Sequence, residues 1–119
     1  MTPQEIKAKI QAAYTASLQN RAVMYGMRTS PLDHQFRDLK LYGRDAGADF
    51  ADTNLGRIID EAVAVAGRKQ PSMELQVYGW GRAAIDGMAE TLRHRTDLKV
   101  EISGSTVQLI WAEDNPALI

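Results

Sequence analysis

Cysteine is absent from this chain of 119 residues, and histidine occurs only twice. These absences exclude disulfide frameworks, thiolate zinc sites and cysteine nucleophiles, and they leave little for a histidine metal cluster. No run approaches the roughly 18 consecutive apolar residues that a membrane-spanning helix needs. We therefore expect no bound metal, no cofactor and no membrane partner, and we expect a cytoplasmic protein.

Excess charge of either sign is also missing, because 14 Lys and Arg residues face 15 Asp and Glu residues, for a formal net charge of -1. Such a balance provides no global field to hold a polyanion, so we do not expect nucleic-acid binding. The 45% hydrophobic and 24% charged residues are typical of a globular protein. The length suits one domain, and we predict a single globular domain over residues 1–119.

The first part of the chain predicts two helices. A capping box formed by Thr2 and Glu5 begins the first, whose apolar stripe continues for about six turns to a stop at Gly26. A short second helix is predicted to begin at Ser30 and to end near Gly43.

A third helix follows a less regular stretch. Residues 44–53 contain aspartates and a glycine with little periodicity, which predicts a loop. Asp52 or Thr53 would then cap a helix whose apolar stripe runs from 55 to 66, with Gly67 as a left-handed stop.

Strand patterns dominate the remaining sequence. Residues 73–78 alternate apolar and polar, which predicts a strand, with a helix beginning at Ser72 as the competing interpretation. Residues 81–93 predict a helix, and residues 98–111 predict a β-hairpin that turns at Gly104. The fold class is therefore α+β: three N-terminal helices followed by strand, helix and hairpin (βαββ), with a small, mostly antiparallel sheet covered by helices. The open edge of this sheet is where a second subunit would pair, so we expect a homo-oligomer.

The residues most suggestive of function surround the junction of the predicted strand and helix. Strand parity places Trp80 on the same face as Tyr78, and Arg82 follows within two residues. Aromatic residues and arginine are enriched at the centres of binding interfaces, so these three predict a partner-binding patch if the indole is exposed. The alternative is that Trp80 folds beneath a helix as a core residue.

Gly79 and Gly81 belong to a G-x-G-x-x-A pattern at this junction. Such a pattern between a strand and a helix is compatible with backbone amides cradling a phosphate. The alternative is that the two glycines only permit a tight turn. The following hairpin argues against a dinucleotide-binding fold, because it leaves no crossover helix.

Arg93 and Arg95 gather positive charge at the end of the predicted fourth helix. They are candidates for contact with phosphates or a partner's carboxylates, or they complement the exposed carbonyls of the helix terminus. His34, next to Asp33, is the other polar candidate, for acid-base chemistry, although solvation is its default role. We find no catalytic constellation and assign no catalytic or metal-binding residues.

These observations predict a non-enzymatic accessory or regulatory protein. It would bind a larger protein or nucleoprotein through residues 78–82, with Arg93 and Arg95 as further contacts. The alternative function is a small protein or enzyme that binds an anionic ligand or nucleotide at the turn from Gly79 to Arg82.

Overall fold

A computed structural model describes residues 1–29 and 39–113. Within these residues there are four helices and three strands. In chain order they are α1 (Pro3–Gln19), α2 (Arg44–Thr53), α3 (Leu55–Ala66), β1 (Ser72–Gln76), α4 (Arg82–Thr96), β2 (Lys99–Ser103) and β3 (Thr106–Ile110). The α+β class is confirmed, as is the order of strand, helix and hairpin. Three described helices precede β1. The first and the third correspond to predicted helices, whereas α2 does not. The helix predicted from Ser30 lies largely outside the described residues, and its predicted last part, residues 39–43, is not helical.

Helix α1 begins as the sequence predicts. The Thr2 hydroxyl accepts a hydrogen bond from the amide of Glu5 at 3.2 Å, and the Glu5 carboxylate accepts one from the amide of Thr2 at 3.1 Å. The hydrogen bond from the Thr2 backbone lowers the pKa of Glu5. The predicted capping box is therefore present.

The predicted length of this helix is wrong, because α1 ends at Gln19 and not near Gly26. The Asn20 side chain accepts a hydrogen bond from the amide of Ala22 at 3.0 Å, which forms a local turn. Asparagine competes with the helix backbone in this way, so the apolar stripe continues past the end of the helix.

Helix α2 occupies residues for which the sequence predicted a loop, and this prediction is wrong. The helix forms because it packs closely against α4. A Cβ atom added to Gly47 would lie 1.9 Å from the carbonyl oxygen of Ala84, and one added to Gly87 would lie 2.1 Å from that of Arg44. Small residues let the two backbones approach, and this tertiary contact overrides the weak helical propensity of the segment.

Helix α3 has the predicted bounds, but its two ends differ from the prediction. Asn54, and not Asp52 or Thr53, occupies the N-cap, because α2 extends to Thr53. Gly67 has an ordinary helical φ of -67°, and the left-handed conformation falls two residues later, on Lys69, with φ 66°.

The three strands form an antiparallel sheet in the order β1-β3-β2. This confirms the predicted hairpin and excludes a helix beginning at Ser72. Every second side chain of the sheet faces the helices, where a continuous core forms. Its fully buried larger members are Ile10, Ile58, Val65, Met73, Leu75, Val77, Met88, Leu92, Val107 and Leu109. Among the helices described here, none is long and apolar enough to cross a membrane.

Candidate functional site

The chain turns sharply between β1 and α4. The amide of Trp80 donates to the carbonyl of Val77 at 3.2 Å, which closes a four-residue turn. Gly79 has φ 82°, the value that the third residue of a type II turn requires and that glycine adopts without strain. Gly79 therefore has the structural role that the sequence offered for the glycines, which is to permit a tight turn.

Trp80 is buried, with 7% of its surface exposed. Its ring packs edge-to-face against Phe50 of α2, with centroids 5.2 Å apart and an interplanar angle of 89°. The interpretation in which this indole stands on the surface is therefore wrong, and the alternative, a core residue beneath a helix, is correct. Trp80 anchors the turn from inside and offers no exposed contact surface.

The exposed aromatic rings at this turn are two tyrosines. Tyr78, at a corner of the turn, is 51% exposed, and Tyr42, just before α2, is 65% exposed. The amide of Gly81 donates to the carbonyl of Leu41 at 2.7 Å, and a Cβ on Gly81 would lie 3.1 Å from the Cα of Tyr42. We call Tyr42, Tyr78 and the backbone of residues 79–81 the tyrosine surface.

Sequence reasoning missed Tyr42, because it lies 36 residues before Tyr78 in the chain. Gly81 carries the only local signal, since a glycine at a strand-to-helix junction indicates close approach of another backbone. Nothing in the sequence around Gly81 says which segment makes that approach.

The three arginines predicted as site residues do not come together as a free cationic patch. Arg82 pairs with Asp86 at 3.0 Å, and Arg95 pairs with Asp52 at 2.9 Å. The guanidinium group of Arg93 donates two hydrogen bonds, at 2.7 and 3.1 Å, to one backbone carbonyl in β2. Only Arg82 adjoins the tyrosine surface along the chain, and its side chain is 67% exposed.

Two backbone amides of the turn already have partners. The amide of Trp80 donates to Val77, and that of Gly81 donates to Leu41. A phosphate cradle needs amides that point toward the ligand. The bonds made by Trp80 and Gly81 reduce the number of donors that this turn offers to an anion.

Arg93 also protects an edge of the sheet. Ser103 and Thr106 flank the two-residue turn and form a hydrogen-bonded pair. Hydrogen-bonded and non-hydrogen-bonded pairs alternate along an antiparallel ladder, so the backbone N–H and C=O of Val100 point away from β3. The carbonyl that Arg93 binds is that of Val100. At the opposite edge, the amide of Glu74 donates to the carbonyl of Arg28 at 3.0 Å. Each edge is thus occupied at one position, which limits the pairing with a second subunit that the sequence predicted.

We expect Arg93→Ala to increase self-association, because it uncovers the edge carbonyl of Val100. The weight-average mass from analytical ultracentrifugation should rise more steeply with protein concentration than for the unmodified chain. Arg95→Ala is the matched control, since it removes a neighbouring arginine that pairs with a side chain and not with the edge. Identical mass profiles for both variants would show that Arg93 does not guard this edge.

Among the described residues, the other polar side chains do not converge on a site. His94 is exposed at the end of α4, and His34 lies outside the described residues. Asp45, Asp49 and Asp52 are exposed on α2. Over residues 1–29 and 39–113, no three histidine or acidic side chains are grouped so as to hold a metal ion.

A polar groove of about 360 Å³ lies on the sheet face opposite the core. Lys99 and Glu101, which line it, form an ion pair at 3.1 Å, and Gln108 donates to the hydroxyl of Ser72 at 3.0 Å. These lining groups are paired with one another, so the groove offers a less distinctive site than the tyrosine surface.

Comparison of this chain with models of protein families, with curated proteins and with solved structures found no match. Function is therefore inferred from the geometry of the described residues.

Proposed function

We propose that this protein is a non-enzymatic accessory or regulatory protein that binds a larger protein or nucleoprotein partner through the tyrosine surface. The observation that carries the proposal is the exposure of Tyr78 on the turn and of Tyr42 on the adjoining segment. The amides of Trp80 and Gly81 fix this backbone through hydrogen bonds to Val77 and Leu41. Tyrosine supplies a large, partly apolar contact area and has few rotatable bonds, so it loses little conformational entropy on binding.

The fixed backbone favours recognition of another macromolecule. Trp80 is buried against Phe50, and this anchor holds the residues on either side of it. A surface that is ordered before binding avoids part of the entropy cost of association. Arg82 adds a solvent-exposed guanidinium group next to the turn, and arginine is another residue type common at interface hot spots.

The alternative function, binding of a small anion or nucleotide at the turn from Gly79 to Arg82, has weaker support. The amides of Trp80 and Gly81 are used within the chain, and Arg82 is paired with Asp86. A thermal-shift screen with nucleotides and phosphorylated metabolites tests it. A ligand at 100 times its dissociation constant should stabilise the protein by about 2.7 kcal/mol.

The double variant Tyr42→Ala/Tyr78→Ala should abolish capture of the partner while leaving stability within about 1 kcal/mol, because both rings are largely exposed. The measurement is affinity capture from an extract of the source cells, with quantitative mass spectrometry, alongside a urea unfolding curve for each variant.

Leu18→Ala is the control for this experiment, since Leu18 is a large apolar residue that is 45% exposed and belongs to α1. Partners lost in the double variant but retained by the control would support the proposal. Equal recovery of every partner by both variants would contradict it.

Two further features belong to the same proposal. A cytoplasmic location is supported by the absence of cysteine, which suits a reducing compartment without requiring it. Homo-oligomerisation would use side chains of exposed surfaces more readily than the sheet edges, because Arg93 and the backbone of Arg28 each occupy one edge position.

A further inference from the structure

A second group of exposed apolar side chains lies on the segment that follows α1. Met24 is 81% exposed, Tyr25 is 73% exposed and Met27 is 71% exposed. We call these three residues the methionine surface. Large apolar side chains that are exposed together on one short segment are typical of an interaction site, whereas isolated ones need no explanation.

The exposure of these side chains does not come from a loose backbone. The amide of Gly26 donates to the carbonyl of Arg68 at 3.0 Å, and the Gln70 side chain donates to the carbonyl of Gly26 at 2.7 Å. The Arg68 side chain donates to the carbonyl of Met27 at 3.1 Å. Three hydrogen bonds with residues 68–70 thus hold the segment in place while its side chains remain exposed.

Residues 68–70, the loop that holds this segment, have an unusual backbone conformation next to Tyr25. Lys69 has φ 66°, which a residue with a side chain rarely adopts, and its ammonium group lies 5.3 Å from the centre of the Tyr25 ring. Such backbone strain persists where the surrounding structure enforces it, and it is concentrated at functional sites. The loop therefore places a cation directly on the aromatic member of the methionine surface.

The charge around this surface is mostly positive. The sequence contains no acidic residue from position 6 to position 32, and none from 67 to 71. The cations on the adjoining described segments are Arg21, Arg28, Arg68 and Lys69. One acidic residue, Glu74, lies beside them, since its amide donates to the carbonyl of Arg28. The chain as a whole has a net charge of -1, so this region differs locally from the rest and complements a negatively charged partner.

We propose that the methionine surface binds an acidic amphipathic segment of another protein. The apolar side chains of that segment pack between Met24 and Met27, and its carboxylates face Arg21, Arg68 and Lys69. Methionine suits this role because its flexible, polarisable side chain adapts to different apolar partners. This site is separate from the tyrosine surface and does not depend on the function proposed above.

Two features favour a protein partner over a nucleic acid or a membrane. A single-stranded nucleic acid is held by successive aromatic platforms, whereas here one tyrosine is present and Lys69 covers one side of it. Peripheral membrane binding by such residues uses an amphipathic helix that lies in the interface. The present segment is not helical and is hydrogen-bonded to the loop of residues 68–70.

The test is selection from a displayed library of random peptides, with the intact protein as bait. Enriched peptides should combine Asp or Glu with Leu, Phe or Trp, and their affinity should fall as salt is raised. Met24→Ser/Met27→Ser should weaken the best peptide at least about tenfold, as expected for the loss of central apolar contacts. Arg21→Glu should weaken it mainly through slower association.

Arg57→Glu is the control for charge reversal, because it lies at the other end of α3 from Arg68, about 15 Å away along the helix. Tyr42→Ala/Tyr78→Ala should leave peptide affinity unchanged, which separates this site from the tyrosine surface. The methyl NMR signals of Met24 and Met27 should shift on titration with the peptide.

Three outcomes would overturn the proposal. The first is a library that yields no acidic apolar peptides. The second is a selected peptide that binds the Met24→Ser/Met27→Ser variant as tightly as the unmodified protein. The third is binding to phosphatidylserine vesicles or to a single-stranded oligonucleotide that is lost in this variant, in the absence of any peptide binding.

Discussion

Replacing Gly47 with alanine is expected to destabilise the protein by about 3 kcal/mol or more, a large part of the stability of a typical domain. The added Cβ would lie 1.9 Å from the carbonyl oxygen of Ala84, which is backbone and has no rotamer to change. Helices α2 and α4 would have to move apart, and the contact between Phe50 and Trp80 would be disturbed. Urea unfolding monitored by circular dichroism measures the loss. Gly87→Ala should behave in the same way, because its Cβ would meet the carbonyl of Arg44 at 2.1 Å.

Gly56→Ala provides the matched control for these substitutions. Gly56 also lies in a helix, α3, but no atom lies within 4 Å of the position of its Cβ. Alanine should therefore leave stability unchanged or raise it by up to about 1 kcal/mol, through reduced backbone entropy in the unfolded state. Similar urea midpoints for Gly47→Ala and Gly56→Ala would show that the two helices are not in close contact.

Trp80→Ala is expected to cost about 3–5 kcal/mol, the range for removal of a large buried aromatic side chain. The substitution leaves a cavity next to Phe50 and removes the anchor of the turn between β1 and α4. Tyr78→Ala, two residues away, should change stability by less than about 1 kcal/mol because Tyr78 is half exposed. Chemical denaturation of both variants provides the comparison, with the emission of Trp111 as the probe that both retain.

The difference in expected stability between Trp80→Ala and Tyr78→Ala decides which variants are suitable for binding experiments on the turn. A loss of partner binding in Trp80→Ala would follow from destabilisation and would not identify a contact residue. Substitutions at Tyr42 and Tyr78 test the surface without removing its support. Equal stability of Trp80→Ala and Tyr78→Ala would contradict the burial of the indole and reopen the interpretation in which Trp80 itself contacts the partner.

The strands and two of the helices were predictable because their own periodicity encodes burial. Alternating apolar residues at 73–77 and 98–111 produce the sheet, and the stripe on α4 is the buried face of that helix. Each of these patterns is complete within one element. No knowledge of the partner element is needed to recognise it.

Helix α2 could not be predicted in this way, because its stability depends on a neighbour. Gly47 is unfavourable in an isolated helix and becomes favourable only when the backbone of α4 lies against it. The error about Trp80 has the same origin, since the residue that covers it, Phe50, belongs to this helix. When residues 44–53 are assigned as a loop, no helix is predicted to pack against the Trp80 side chain.

The candidate site was predictable in position but not in composition. The sequence located the turn from Tyr78 to Arg82, where glycine permits a sharp change of direction. Tyr42 reaches this turn through a contact between distant segments, which local spacing does not encode. The methionine surface was hidden for a different reason: Met24 and Tyr25 continue the apolar stripe of α1, whereas Asn20 ends the helix before them.

The order of the strands has a consequence for the protein during its synthesis. The central strand, β3, follows both of its neighbours in the sequence, so β1 has no strand to pair with until residues 106–110 have left the ribosome. Until then, the sheet that buries Met73, Leu75 and Val77 has not formed. The apolar faces of α3 and α4 also lack part of the layer that covers them. Emerging chains are therefore open to capture by chaperones over this interval, and the native core closes only after β3 has emerged.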